Sequence, residues 1–468
     1  MRLTGGPTAS EPTASEPGEA GAVTAQTMDM AGSAPWTGQW VADRLGVRLT
    51  GSPALPGMIG LAVRHNEKRA HLLVSQVLGK HVPQRPSVVH GAGLELGYTV
   101  CELLGSEASA RAVVLGYAET ATALGHSVAD GLGAPYLHST RRAVAGVAAV
   151  GGFEEEHSHA TSHLLLPADP EFLAGDGPLV LVDDEFSTGT TVLNTIRALQ
   201  ARYPRARYVV AALVDLRTDR DRARLAATAA ELDIRVDLVA TESGGVELPA
   251  DILERARELI AATPGPALTP SDRPLAPVVR AAATWPADLP DGGRHGFTAR
   301  HRGRLNSHLP LLAAELAGLV AESGLVLVLG FEELMYAPLR LAGALAELLG
   351  EERVSFSTTT RSPVLAVDHP GYAIRTRLAF PAHDDPADGS TERYAYNVAP
   401  GQDLTRRFDA VVLVVDEPAD TPALHEGEQA LLQQLRRVTD HVVLVVLPSY
   451  RPTARPLLAA SAAAPHRR

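Results

Sequence analysis

The chain has 468 residues, 45% of them apolar but only 4% aromatic, so it can build more than one core, from Val, Leu and Ala rather than from rings. Its formal net charge of −12 argues against nucleic acid as a partner, because the phosphate backbone would be repelled. The single cysteine, Cys101, excludes an intramolecular disulfide and a cysteine-built metal cluster within the chain.

Residues 1–34 are rich in Pro, Ala, Ser, Thr, Glu and Gly and hold a tandem repeat, Pro7-Thr-Ala-Ser-Glu followed by Pro12-Thr-Ala-Ser-Glu. Such a segment buries too little apolar surface to offset chain entropy and is expected to be a disordered tail. It lacks the basic-then-apolar pattern of a signal peptide. No run in the chain approaches the roughly 18 apolar residues of a membrane span. The expectation is a cytoplasmic protein with no membrane partner.

From residue 35 onward, short apolar runs alternate with helical patterns. Strand-length runs lie at 112–116, 179–182, 208–214 and 236–240, and helical patterns at 123–132, 190–203 and 219–232. In the middle helix Val192, Ile196 and Leu199 share one face. This alternation predicts an α/β domain with a mostly parallel sheet over residues 35–261. Cys101 sits in a half-apolar helical stretch, where a buried structural thiol is expected.

A proline-rich stretch, 262–295, reads as an interdomain linker. A second α/β pattern covers 296–450, with strand-like runs at 326–329, 410–415 and 441–447. Residues 451–468 read as a tail.

The segment that carries chemistry is Leu179-Val-Leu-Val-Asp183-Asp184-Glu185-Phe186-Ser187-Thr188-Gly189-Thr190-Thr191. An apolar strand ends in two carboxylates, and a turn of small residues opens into a helix. In open α/β sheets ligands bind at that end of the strands. Backbone amides and the helix N-terminus make an anion cradle, the Ser and Thr hydroxyls add donors, and Gly189 allows a backbone geometry closed to side chains. A phosphate in the loop, beside carboxylates that accept from sugar hydroxyls, describes a phosphorylated pentose. No lysine follows a glycine-rich turn, so this is not a Walker A loop. An ordinary α/β turn capped by Thr and Ser is the competing reading.

This segment resembles the phosphoribosyl pyrophosphate (PRPP) signature of type I phosphoribosyltransferases. The domain around it resembles the orotate-phosphoribosyltransferase-like branch associated with tellurium-resistance gene clusters. Further stretches carry the likeness: Arg64-His-Asn66-Glu-Lys-Arg69, Leu78-Gly-Lys80-His81-Val-Pro83, Val114-Leu-Gly116-Tyr-Ala118-Glu119-Thr120-Ala121-Thr122, His138-Ser-Thr-Arg141-Arg142, and Glu154-Glu-Glu-His157-Ser-His159-Ala-Thr161. The resemblance implies that Asp183 and Asp184 hold the ribose hydroxyls with Mg²⁺. Ser187, Thr188, Gly189, Thr190 and Thr191 would bind the 5′-phosphate, and Ala118, Glu119, Thr120, Ala121 and Thr122 would face the leaving pyrophosphate. Orotate-type enzymes place a mobile-loop lysine on the pyrophosphate, but residues 141–163 contain none. Arg141, Arg142, His157 and His159 are the cationic or donor groups available in its place, with Arg141 and His157 as the catalytic candidates. The implied activity is transfer of phosphoribose to a base-like acceptor, with a PRPP-binding regulator or a stress-complex scaffold as the alternatives. A homodimer is expected by analogy with the fold. His157, His159 and His163 also leave a transition-metal site open.

In the second half, Ser357-Thr-Thr-Thr360-Arg361-Ser362-Pro363 resembles the TRSP domain that follows this phosphoribosyltransferase branch. Arg361 and Ser362 are candidates for an anion site there. The halves also echo each other in order. Val114-Leu-Gly-Tyr-Ala-Glu119 matches Val328-Leu-Gly-Phe-Glu-Glu333, Ser139-Thr140-Arg141 matches Thr359-Thr360-Arg361, and Leu181-Val-Asp183-Asp184-Glu185 matches Leu413-Val-Val-Asp416-Glu417. The second half reads as a degenerate copy whose phosphate loop is lost, since Pro418-Ala-Asp-Thr421-Pro422 lacks glycine and adds a negative charge. Chance likeness between short α/β strands is the competing reading, and unrelated strand orders would remove the idea.

Overall fold

Strand Leu179–Phe186 lies inside a six-stranded sheet because its first four residues are fully buried and both of its edges are paired. The parallel strands run in the order Tyr136–His138, Val113–Gly116, Leu179–Phe186, Arg207–Asp215, Arg235–Glu247, and Arg48–Gly51 closes the edge antiparallel. The computed structural model describes residues 35–66, 68–144, 146–154, 162–265, 273–282, 284–384 and 391–450. The central strand is longer than its apolar run, because pairing with Arg207–Asp215 continues through Asp183, Glu185 and Phe186. Arg235–Glu247 likewise outruns its apolar stretch, because its far end pairs with Arg48–Gly51.

A second, five-stranded sheet is wholly parallel, in the order Val354–Thr358, Val326–Gly330, Ala410–Asp416, His441–Leu447, Val278–Arg280. Four strands of each sheet therefore share one chain order, second–first–third–fourth. The fifth place differs. In the first sheet a later strand fills it, and in the second sheet Val278–Arg280 fills it from upstream. The stretch expected as linker is thus partly built into the fold, and Asp291, Arg294 and His295 within it are buried.

One hydrophobic cluster runs from one sheet to the other, from Val114, Val180 and Val209 to Val328, Val412 and Val443. Helices Pro86–Leu104 and Thr122–Leu132 of the first half meet Tyr336–Leu349 of the second within it. The first two cross closely: a Cβ at Gly97 would lie 2.4 Å from the Val128 carbonyl oxygen. His126 stacks on Tyr336 with ring centroids 3.4 Å apart. Cys101 is half-buried against this cluster rather than enclosed by it. No helix among the described residues is long and apolar enough to cross a membrane.

Candidate functional site

The turn after Phe186 is set by Gly189, whose φ of +76° lies in the left-handed region. A Cβ there would also sit 3.0 Å from the Phe186 ring. Gly189 is the N-cap of helix Thr190–Gln200 and has no side chain to cap it, and the Thr190 amide donates to Thr188 Oγ1 at 3.4 Å. Arg224 braces the turn from outside, donating to Thr190 Oγ1 at 3.0 Å and to the Thr188 carbonyl.

The turn opens onto a cavity of about 320 Å³. Asp183, Asp184, Ser187, Thr188, Gly189, Thr190 and Thr191 form one wall. Ala118, Glu119 and Thr120 form a second, with Arg141 beside them. The expected stretch 118–122 does not all reach the cavity. Ala121 and Thr122 are buried beneath it, because the chain turns into helix Thr122–Leu132 there and the Thr122 carbonyl accepts from Tyr136 Oη at 2.7 Å. His157 and His159 lie outside the described residues. His163, their expected companion, stacks on Phe153 and bonds through Nδ1 to Ser139 Oγ at 2.8 Å, which in turn accepts from the Ala118 amide at 3.0 Å. Its observed place is therefore support for the loop at Ala118.

Three cations that sequence reasoning quoted without a role also reach the cavity: Arg64, Arg69 and Lys80. Lys80 is the most telling. Its side chain is 5% exposed, and Nζ lies 3.0 Å from Glu119 Oε1 and 2.9 Å from Thr120 Oγ1. The signal was available, because Lys80 is one of only two lysines in a chain that otherwise uses arginine. Arg69 pairs with Glu185 at 2.7 Å on the opposite wall.

The third wall comes from the second half: Thr360, Arg361, Ser362 and Pro363. Arg361 and Ser362 were expected to mark an anion site of the second half, and the structure brings them to this cavity. Arg361 Nε is 2.8 Å from Glu332 Oε2 and 3.9 Å from Glu119 Oε2, and Ser362 Oγ accepts from Arg64 at 3.1 Å.

Buried Glu119 and half-buried Asp184 are held differently. Burial pushes the Glu119 carboxyl up, but Lys80, Arg361 and a hydrogen bond from Thr360 outweigh it and hold the group below its ordinary range. Burial pushes Asp184 up and the neighbouring Glu185 charge adds to this, with Lys80 offsetting only part. The Asp183–Asp184 wall thus offers hard carboxylate oxygens, a donor set that suits Mg²⁺. Elsewhere, Glu332, His383 and Asp384 also converge within 4.8 Å, but Arg361 and Arg393 occupy the two carboxylates.

Residues 58–245 match the phosphoribosyl transferase family model, and residues 291–435 match the TRSP domain that lies C-terminal to it. Solved structures similar to the chain include adenine phosphoribosyltransferase from Rhodothermus marinus, at 19% identity and TM-score 0.29, covering 40% of this chain and 96% of that one. Adenine phosphoribosyltransferase from Trypanosoma brucei, solved with AMP, pyrophosphate and ribose-5-phosphate, matches at 14% identity and TM-score 0.30, covering 39% and 76%. Orotate phosphoribosyltransferase from Aeropyrum pernix matches at 19% identity and TM-score 0.25, covering 44% and 95%. No curated protein matches the chain.

Proposed function

We propose that this chain, a phosphoribosyl transferase domain joined to a TRSP domain, transfers phosphoribose from PRPP to a base-like acceptor and releases pyrophosphate. The observation that carries the reading is the pairing, in one cavity, of the Asp183–Asp184 wall and the glycine-capped turn at 187–191 with the Lys80–Glu119–Thr120 cluster opposite. The turn at 187–191 would take the 5′-phosphate, and Asp183 and Asp184 would accept from the ribose hydroxyls. Lys80, with the donors around Thr120, would face the diphosphate.

In the reaction, an acceptor nitrogen forms a bond to the ribose C1 as the C1–oxygen bond to diphosphate breaks. The electron pair leaves with the diphosphate, and the acceptor's proton passes to solvent or to a base. Charge develops on the leaving group, so donors already in place around it supply most of the rate enhancement. Lys80 supplies the cation for which the loop at 141–163 has no lysine. Bound by Asp183 and Asp184, Mg²⁺ would neutralise part of the diphosphate charge. The acceptor would lie toward hairpin Ile59–Val63/His71–Ser75, whose Leu72 and Leu73 give the cavity an apolar side.

The test is isothermal titration of PRPP with Mg²⁺ into the full chain and into Asp184→Asn, followed by an acceptor screen read by pyrophosphate release. Binding that the variant loses supports the reading. Absence of binding in both removes it. Binding without release for any acceptor leaves the regulator in its place.

A further inference from the structure

The strand order common to the two sheets extends to their loops. Pairing register equates Gly116 with Gly330, His138 with Thr358, and Asp184 with Asp416. At these positions the same hydrogen bonds recur. The amide after the second strand returns to the end of the first, Ser139 to the Gly116 carbonyl at 3.0 Å and Thr359 to the Gly330 carbonyl at 3.2 Å. The same residue's hydroxyl accepts from the loop amide, Ala118 in one half and Glu332 in the other, at 3.0 Å in both. Thr140 bridges Leu164, and Thr360 bridges Tyr394. Chance likeness of short strands does not reproduce loop bonds residue by residue.

Contacts between the halves are reciprocal as well. Glu333 accepts from Thr140 Oγ1 at 2.7 Å and from the Arg141 amide at 3.0 Å. Its counterpart Glu119 faces Arg361, with Nε 3.9 Å from Oε2. Each half also sends an arm to the other's sheet edge. Gln84 pairs with Phe356, and Phe297 pairs with Tyr136, its register equivalent. On those arms Gly79-Lys80-His81 corresponds to Gly293-Arg294-His295, with one more residue before Gln84 than before Phe297. A Cβ at Gly79 would meet Phe356, and one at Gly293 would meet Tyr136. Lys80 pairs with Glu119, and Arg294 pairs with Glu333, both at 3.0 Å. Contacts in which residue i meets j and j meets i define a two-fold interface.

The two sites at this interface have diverged. In the second half Val415 replaces Asp183 by register. Asp416 accepts from the Ala419 amide at 3.3 Å, closing the turn on itself, and takes both terminal nitrogens of Arg142 at 2.8 and 2.9 Å. Space beside Glu333, Arg142 and Arg294 shrinks to about 10 Å³, which is at the limit for one water.

We infer that the second half is a lapsed copy of the first that serves as its built-in partner subunit, closed at its own site and supplying Arg361 to the pyrophosphate end of the live cavity. This rests on the PRPP reading above. Arg361 acts as a positioning residue there: it fixes Glu119, which in turn fixes Lys80 beside Thr120.

The experiment titrates full-length wild type, Arg361→Gln and Arg361→Lys with three probes: PRPP with Mg²⁺, pyrophosphate with Mg²⁺, and ribose 5-phosphate. The expected stoichiometry is one PRPP per chain. Arg361→Gln should weaken PRPP and pyrophosphate about tenfold or more, the scale of a lost charged hydrogen bond. It should leave ribose 5-phosphate unchanged, and Arg361→Lys should recover part of the loss. Equal weakening of all three probes would mean a merely structural residue and overturn the assignment, as would wild-type affinities in Arg361→Gln. Two PRPP molecules per chain would overturn the closed second site. No binding of any probe by wild type would remove the PRPP reading itself, and the role of Arg361 with it.

Discussion

Asp184 and Asp416 hold the same register position in their two sheets, yet one faces a cavity and the other a guanidinium. Around Asp184 the carboxylates crowd together, and burial with the Glu185 charge pushes its proton affinity up. Around Asp416 the acid is answered by Arg142 at 2.8 Å, with Arg294 at 3.8 Å. The difference shows what separates a binding site from a structural one on a shared frame. The structural site has balanced its charges internally. The binding site keeps its carboxylates and cations around an open cavity that an incoming ligand and cation can enter.

The comparison can be broken most directly by removing each acid. Asp416→Asn should destabilise the fold by about 3–5 kcal/mol, because Arg142, only 16% exposed, would lose its charged partner, while PRPP affinity in the folded fraction stays at the wild-type value. Asp184→Asn should do the reverse. It should cost about 3 kcal/mol of PRPP binding, the scale of two hydrogen bonds to a charged acceptor. It should not lower stability at neutral pH, because the native state raises this group's pKa and so already disfavours its charged form. Urea melts and calorimetric titration of both variants separate the outcomes. A stability loss in Asp184→Asn as large as in Asp416→Asn would erase the distinction.

Much of this was legible in the sequence where the chemistry is local. The strand, acid pair and turn from Leu179 to Thr191 are contiguous, so periodicity and residue type sufficed to place them. The echo between the halves was visible in three short segments for the same reason. What was not legible came from distant chain. Lys80 reaches Glu119 because Gln84 pairs with Phe356, a contact 272 positions apart in numbering that no local pattern encodes. Arg294 was hidden differently. It lies in a proline-rich stretch that composition marks as linker, yet its segment adds to the first half's sheet edge at Tyr136. The register contact of Arg361 with the live cavity required the two-fold packing, which sequence order alone does not give.

A smaller effect should follow from pH, because histidines flank the closed site. Burial lowers His138 to about 4, with the Glu333 charge opposing and Arg294 adding to the fall, and burial lowers His295 to about 4 as well. Both are neutral in the native state and protonate freely once unfolded. Their contribution is therefore complete above the ordinary value of 6.5 and is lost as pH falls toward about 4. Between pH 7 and 5, His138 alone should account for about 2 kcal/mol of lost stability. The His138→Gln variant should show an acid limb shallower by that amount in urea melts at the two pH values. An unchanged limb would mean that acid sensitivity arises elsewhere in the chain.

The smallest expected effect tests the turn itself. Gly189 adopts φ +76°, and its missing Cβ leaves the Phe186 ring only 3.0 Å from where that atom would stand. Gly189→Ala should therefore cost about 1–2 kcal/mol from the left-handed backbone, plus whatever shift of Phe186 the new methyl forces. The second half shows how a turn at this place can do without such a glycine: its strand ends in Asp416, which accepts from the Ala419 amide and so uses up a donor that an anion would need. If the glycine at 189 serves the anion cradle, Gly189→Ala should weaken ribose 5-phosphate more than pyrophosphate, because only the former's phosphate would sit in this turn. Arg361→Gln predicts the opposite order. Titrating both variants with both probes turns the cavity into two independently addressable ends. Parallel losses at both ends from either variant would show that the cavity responds as one unit and that the division between the loop at 187–191 and the wall at 360–363 has no functional meaning.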